Sequence, residues 1–469
     1  MIACQPFERE SSQAVKSLFA YSKQKIDKLN YKVPVPLPRL RERFPRLLHD
    51  LAFQRLWTAA SISYVGDQVT IVAVPLIAAL TLDASAAEMG LLAAIGSLPN
   101  LLFSLHAGAY VDRRGRRRKT MIFTDLARTA LLASVPLTYA VGALTLYQLY
   151  AVAFITGALA VIFNVCATGL FPAVVPREQY LEGTSLLRGS YSFSWVVGPG
   201  LGGAIVQALS APVALLVDAA SFVASASLLN SISPTEPSTD HSRGSGIRAG
   251  VQFVLRTPSL LAKVGASTVL SFFYSIYFAL IFLFAARELG LPAAAIGLAL
   301  GAGAIGALAG SALTSRISRR LGIGRTFTLG ALLYPSTLAL VPLAPREHNL
   351  AIALLVTAEL GSGFGLMLAD ITGSSIQQAL TPERLRSRVQ GASMTLTAGI
   401  RPLGSLAAGL LGTTIGLRPT LWIAATGGIA SILLLLPSQL PCLRELPFEA
   451  HDPETPLNSI PARGAAKAG

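Results

Sequence analysis

Gly108-Ala-Tyr-Val-Asp112-Arg113-Arg114-Gly115-Arg116-Arg117-Arg118-Lys119 sets one acid and six bases between two long apolar runs. In a water-soluble protein such a cluster points to nucleic acid. The flanks argue otherwise. Residues 87–111 and 120–141 are each close to the roughly 20 apolar residues that cross a membrane as a helix, and the same alternation continues along the chain. Of 469 residues, 52% are hydrophobic and 13% charged, with a mean hydropathy of +0.57. A soluble domain carries about 25% charge. Half of that leaves too little polar surface to coat a globule of this size, which excludes a water-soluble enzyme. The net charge of +14 (Lys+Arg 38, Asp+Glu 24) sits in short clusters between the apolar runs.

Twelve candidate spans follow, near 53–80, 87–111, 120–141, 147–171, 186–208, 212–232, 260–286, 293–315, 327–344, 350–376, 391–415 and 419–436. In lipid these runs must be helices, because every backbone polar group has to be satisfied internally and no alternating pattern suggests a barrel. With the N-terminus inside, the cytoplasmic loops hold the bases of 113–119, Arg177, 243–263, 316–325 and 384–388. The outer loops hold Arg287, Arg346 and Arg418. That bias sets both termini in the cytoplasm. The expected organisation is a basic tail (1–50), a six-helix bundle (51–232), a polar connector (233–258), a second six-helix bundle (259–437) and a C-terminal tail (438–469). In the first tail, Val15, Leu18, Phe19, Ile26 and Leu29 follow a helical stripe among lysines. A helix lying on anionic lipid has this pattern, and a loose basic tail fits equally well. The Pro-rich 33–38 stretch reads as a polyproline spacer.

The two halves echo each other. Gly90 matches Gly297, Arg113 matches Arg320 and Gly115 matches Gly322, all at an offset of 207, while Gly198-Pro199 matches Arg401-Pro402 at 203. Duplicated halves are the architecture of rocking transporters, with the substrate site between them near the midplane.

The stretch from Gly108 resembles the G-x-x-x-D-R-x-G-R-R signature of the major facilitator superfamily, matching at Gly108, Asp112, Arg113, Gly115, Arg116 and Arg117. The resemblance implies an all-α integral membrane fold of twelve helices in two pseudo-symmetric bundles. It also implies that Asp112 latches the halves on the cytoplasmic side, near a helix start at Gly391. A plain topogenic charge cluster is the alternative. The second copy, 315–325, keeps Arg320 and Gly322 but has Arg319 in place of the acid. Gly198, Pro199, Gly202 and Gly203 resemble the Gly-Pro element of antiporters in that superfamily, where small residues let spans five and eight pack closely; a simple packing kink is the alternative. Gly66-Asp67, Leu98-Pro99, Asp125-x-x-Arg128, the 217–222 run and the 385–389 run extend the likeness to the drug:proton antiporter-3 branch, which includes enterobactin exporters and macrolide-efflux proteins. The resemblance covers about 51–437. One departure is Ala153, four residues before Gly157, where many drug antiporters carry an arginine.

Ionisable residues at bilayer depth are costly and functional by default. Asp67 falls mid-span one, Asp218 in the outer half of span six, Glu359 mid-span ten and Asp370 nearer the cytoplasm. Arg401 reads as the one plainly mid-membrane cation, placed to bind an anionic substrate or to pair with Glu359. Asp125 and Arg128, three apart near the cytoplasmic end of span three, read as a local ion pair. Asn164, Tyr64, Phe272, Phe273, Tyr274 and Tyr277 are cavity candidates beside ordinary packing.

The expected function is proton-coupled export of an amphipathic small molecule (drug, macrolide or siderophore) across a bacterial inner membrane. Importing or facilitating the passage of a small metabolite is the runner-up, and a membrane sensor the reading from another class. The partners expected are the transported molecule, protons and membrane lipid, with no nucleic acid. The chain is expected to be a monomer with no metal, no catalytic residues and no cofactor beyond the proton gradient. No G-x-x-x-x-G-K-[ST] phosphate loop occurs. Cys4, Cys166 and Cys442 are far apart and form no redox pair.

Overall fold

The structure, a computed structural model, describes residues 46–232, 247–438 and 440–444; the side chains of 46, 104–110, 112–114, 247–249, 387 and 442 are outside that description. The expectations for residues 1–45, for most of the connector and for the tail beyond 444 fall on residues not described. The chain divides into two units, Met1–His49 and Asp50–Gly469. Of the first, a single 3-10 turn, Arg46–His49, is described.

The described residues of the second unit are helices joined by short turns, with no strand among them. The first bundle comprises α1 (Leu51–Leu76), α2 (Ala86–Arg114), α3 (Arg117–Ala140), α4 (Leu146–Val174), α5 (Tyr180–Leu209) and α6 (Ala211–Asn230). A short amphipathic helix, α7 (Ile247–Arg256), precedes the second bundle. That bundle comprises α8 (Pro258–Leu283), α9 (Ala293–Leu321), α10 (Ile323–Leu338), α11 (His348–Ala379), α12 (Arg386–Gly399), α13 (Arg401–Thr414) and α14 (Leu417–Ala430). Local chemistry sets the starts. Asp50 Oδ1 accepts from the amides of Ala52 (2.8 Å) and Phe53 (2.9 Å), and Ser85 with Glu88 forms a reciprocal capping box. Gly115, at φ +60, ends α2 in a left-handed turn that a side chain resists.

Nine helices among the described residues are long and apolar enough to cross a membrane. The remaining three of the twelve expected places are held by α3, α10 and the α12–α13 pair. Span eleven is therefore broken where one helix was expected. Pro402 has no N–H to give Ala398, so the helix parts at Ile400.

Pseudo-symmetry is visible in which helices touch. In the first bundle α1 packs on α5 and α6, α3 on α4 and α6, and α2 on α4. In the second, α8 packs on α13 and α14, α10 on α11 and α14, and α9 on α11. Across the molecule α5 meets α9 and α2 meets α13. Both first helices of the bundles end in a π-turn, Ile77–Thr81 and Phe284–Glu288, at the offset of 207 seen in the sequence.

The cores locate the opening. One apolar cluster runs through both bundles at the end away from the basic loops, joining Val72, Leu76, Leu215 and Phe222 to Leu280, Phe282, Ile296 and Leu355. Toward the basic loops the cores are separate. Leu56, Met121, Phe163 and Leu170 serve the first bundle, while Phe327, Ile376 and Leu435 serve the second. The halves are thus joined at one end and parted at the basic end.

Candidate transport site

The joined end is built by backbone contact. A β-carbon on Gly203 of α5 would lie 2.5 Å from the Ala293 carbonyl oxygen and 2.9 Å from Gly297 Cα of α9, and Gly297 in turn faces the Pro199 carbonyl. The mirror contact sets Gly90 of α2 on Gly409 and on the Ser405 carbonyl (2.5 Å) of α13. Gly198 faces Gln68, and Gly202 faces the Gln68 carbonyl (3.1 Å), both on α1. These contacts equate Pro199 with Ser405 and Gly203 with Gly409, a register of 206. The sequence match of Gly198-Pro199 to Arg401-Pro402 at 203 is corrected by that register; Arg401 and Pro402 stand at the break in span eleven, where α5 is continuous. Arg287 completes the closure. Its Nε (3.0 Å) and Nη2 (2.6 Å) donate to the Ala79 carbonyl, and Nη2 reaches Asp83 Oδ1 at 2.7 Å.

Inside the first bundle, α1, α3 and α6 bring three carboxylates to one guanidinium. Arg128 Nη2 donates to Asp67 Oδ1 at 2.5 Å, and its guanidinium lies 3.8 Å from the Phe222 ring centre. Asp218 accepts from Thr70 and from Ser221 (3.0 Å), and Asp125 accepts from Ser225 (2.7 Å). Asp125, Arg128 and Asp218 are buried, whereas the Asp67 side chain is 37% exposed. Asp125 Oδ1, Arg128 Nε and Gln68 Oε1 have no hydrogen-bond partner. The local Asp125–Arg128 ion pair expected from spacing is not made, because Arg128 reaches across to α1. Arg128 also joins Arg401 as a cation at membrane depth. It lies 11 residues inside α3, about 16 Å of helix.

The second bundle answers with aromatics. Tyr277 donates to Glu359 Oε1 at 2.7 Å. Tyr274 stacks on Tyr277 (6.1 Å between ring centres) and leans on Tyr334 (5.5 Å). These three tyrosines, with Pro335, Ala425 and Gly428, line a cavity of about 10 Å³, room for one water. Arg401 is exposed and makes no hydrogen bond or ion pair among the described residues, so it does not pair with Glu359. Asp370 is exposed on α11. Lys263, expected in a loop, lies inside α8 and donates to Gln377 (2.7 Å), which donates to Gln390 (2.8 Å). Phe272 and Phe273 pack edge to face. Tyr64 of α1 meets Tyr191 of α5 edge to face at 5.2 Å, and Trp195 extends that row. Asn164 is exposed on α4.

At the basic end, Gly108, Asp112 and Arg113 lie in the last turns of α2, and their side chains are outside the description. Arg117 donates to the Gly169 carbonyl (2.9 Å), and Arg118 to the carbonyls of Asn230 (3.4 Å) and Ile232, tying α3 to the ends of α4 and α6. Arg116 is exposed. The helix start expected near Gly391 stands at Arg386 instead, leaving Gly391 inside α12. Part of the C-terminal tail is docked: the amides of Ile323 and Gly324 donate to the carbonyls of Arg444 (3.2 Å) and Leu443 (2.9 Å), covering the second, acid-less copy of the loop motif.

Sequence reasoning missed Arg128 as a buried hub, along with Tyr334, Ser225 and the Lys263 network. For Arg128 a signal was present: an α3 starting at the Arg117 charge cluster already places it deep.

Two pseudo-symmetric helical bundles, joined at one end and parted at the other, with buried charge inside the first, have the architecture of a membrane transporter. The chain belongs to the major facilitator superfamily, whose family model matches residues 56–405. It is 27% identical over 405 residues to the multidrug efflux pump Tap of Mycolicibacterium fortuitum, covering 83% of this chain and 95% of that protein. To the Tap pump of Mycobacterium tuberculosis (strain ATCC 25618 / H37Rv) it is 28% identical over 409 residues, covering 83% and 93%. Among solved structures, a bacterial homologue of the iron transporter ferroportin in an inward-facing state aligns with a TM-score of 0.67 at 19% identity, covering 82% of this chain and 98% of that one. The nucleoside transporter NupG aligns with a TM-score of 0.67 at 12% identity, covering 82% and 98%. At these identities the structures speak to the fold alone.

Proposed function

We propose that the protein exports amphipathic small molecules, of the drug, macrolide or siderophore kind, from the cytoplasm by proton antiport. The basic loops then face the cytoplasm of a bacterial inner membrane, with both termini inside, and the parted end is the inward mouth. The protein works as a monomer, with the proton gradient as its only co-reactant. The likeness to multidrug efflux pumps supports export.

The observation that carries the coupling is the charge count at Arg128. Asp67 is paired with Arg128, and Asp125 and Asp218, held by hydroxyls, stand within the electrostatic reach of that same guanidinium. With all three ionised, two negative charges stand uncompensated where an unpaired charge is expensive. A proton is the smallest counter-charge that reaches them, and half-exposed Asp67 is its point of entry. The Asp67–Arg128 bond ties α1 to α3, both of which pack on α6. Protonating Asp67 weakens that tie, which gives the bundle two arrangements for alternating access. The exposed Tyr191 and Trp195, in a row with Tyr64 of α1, and Arg401 in the other half, unpaired among the described residues, supply the aromatic and polar contacts an amphipathic ligand needs.

Inverted vesicles test this reading. Energised vesicles containing the protein accumulate at least one of a broad panel of fluorescent amphipathic drugs, and an uncoupler abolishes the uptake. Asp67→Asn retains binding and loses the response to the proton gradient. No accumulation across the panel refutes export, and uptake indifferent to the uncoupler refutes proton coupling.

A further inference from the structure

The four bases that open α3 divide by direction. Arg117 and Arg118 turn inward onto helix-end carbonyls. The side chains of Arg116 and Lys119 are exposed and make no hydrogen bond or ion pair among the described residues. Three residues apart, they share a helix face with Thr120 and Phe123. They stand at the mouth of a cleft of about 590 Å³ between α3 and α4, which continues over Thr120 and Phe123 to Leu159 and Ile162. The cleft is thus cationic at its mouth and apolar beyond. It is also deep. From Arg116 to Phe123 it follows seven residues of chain along α3, about 10 Å of helix, against about 15 Å for one leaflet of the hydrocarbon core. Phe123, 67% exposed, forms an open wall.

We propose that this cleft is a binding site for one anionic phospholipid, its phosphate held by Arg116 and Lys119 and an acyl chain laid along Phe123, Leu159 and Ile162. Two partnerless cations at the membrane surface match a phosphodiester. An apolar trough reaching past the middle of the leaflet matches a chain and not a free ion. The occupant would brace α3, the helix that carries Arg128, against α4.

Native mass spectrometry of the full-length protein in detergent, titrated with phosphatidylglycerol or phosphatidylcholine, is the test. The expected result is one tightly held phosphatidylglycerol in preference to phosphatidylcholine. Lys119→Gln lowers that preference roughly fivefold, and Arg116→Gln with Lys119→Gln roughly thirtyfold. Leu159→Trp with Ile162→Trp fills the trough and removes the bound lipid with the charges intact. The Lys119→Gln change is on an exposed side chain, so it reads the site even if the tryptophan variant fails to fold. Equal retention of the two lipids, or retention untouched by the charge variants, overturns the proposal. Displacement by excess inorganic phosphate overturns it in favour of a simple anion site. Displacement by a transported drug overturns it in favour of a substrate site.

Discussion

The two bundles share a scaffold and differ in what they bury. At the offset of 207, Asp67 corresponds to Tyr274, Thr70 to Tyr277 and Gly66 to Phe273. In the first bundle Gly66 leaves room for Asp218 and Ser221 of α6. In the second the relation is inverted, with the Phe273 ring against Gly427 of α14. One half thus keeps an ionic cluster around Arg128, and the other keeps stacked tyrosines with a single acid, Glu359. The glycine contacts Gly203–Gly297 and Gly90–Gly409 are alike in both places. Duplication preserved the surfaces on which the halves meet and freed the interiors to diverge, because close backbone approach tolerates no side chain whereas a cavity tolerates many.

The largest expected break in this comparison is Arg128→Met. It strands three acids around no cation, at a cost of about 3–5 kcal/mol, toward the lower figure because Asp67 is part-exposed. Thermal unfolding of the purified protein measures it, and adding Asp67→Asn recovers part of the loss. Next is the scaffold. Gly297→Val drives a side chain into the Pro199 carbonyl, and Gly90→Val does the same at the Ser405 carbonyl. Each should cost about 1–3 kcal/mol. Similar losses in the two variants confirm the shared scaffold, and a large gap between them breaks it. Tyr277→Phe is smaller. It removes the donor to Glu359, for about 1 kcal/mol, and leaves the uncoupler response in place if coupling resides in the first bundle. Smallest in stability is Asp83→Asn, an exposed partner of Arg287, worth about 0–1 kcal/mol. Its readout is conformational: thiol labelling of a cysteine placed on the joined side of α13 should rise as the closure loosens.

Much of this was legible in order along the chain. Apolar length, loop charge and the Gly108 motif carry the span positions, the family and the repeat, because each is a local property that lipid acts on directly. The site was legible in part. Asp67, Asp218 and Glu359 stood out as acids in apolar runs. Their partners did not, since spacing along α3 favours Asp125 for Arg128 while the rotation of three helices delivers Asp67 instead. Register shows the same limit. A Gly-Pro match chose 203, and backbone contact chose 206, because a dipeptide recurs by chance in a Gly-rich chain whereas two helices can interlock in only one way.

The amino-acid order by itself determined a membrane-embedded, duplicated helical chain, since burying apolar length and satisfying the backbone leave no other solution. Only the tertiary structure decided which charges meet, where span eleven breaks and which end of the molecule is closed. Those outcomes depend on how helices distant in sequence rotate and lean against one another, and that geometry is not written in any single stretch.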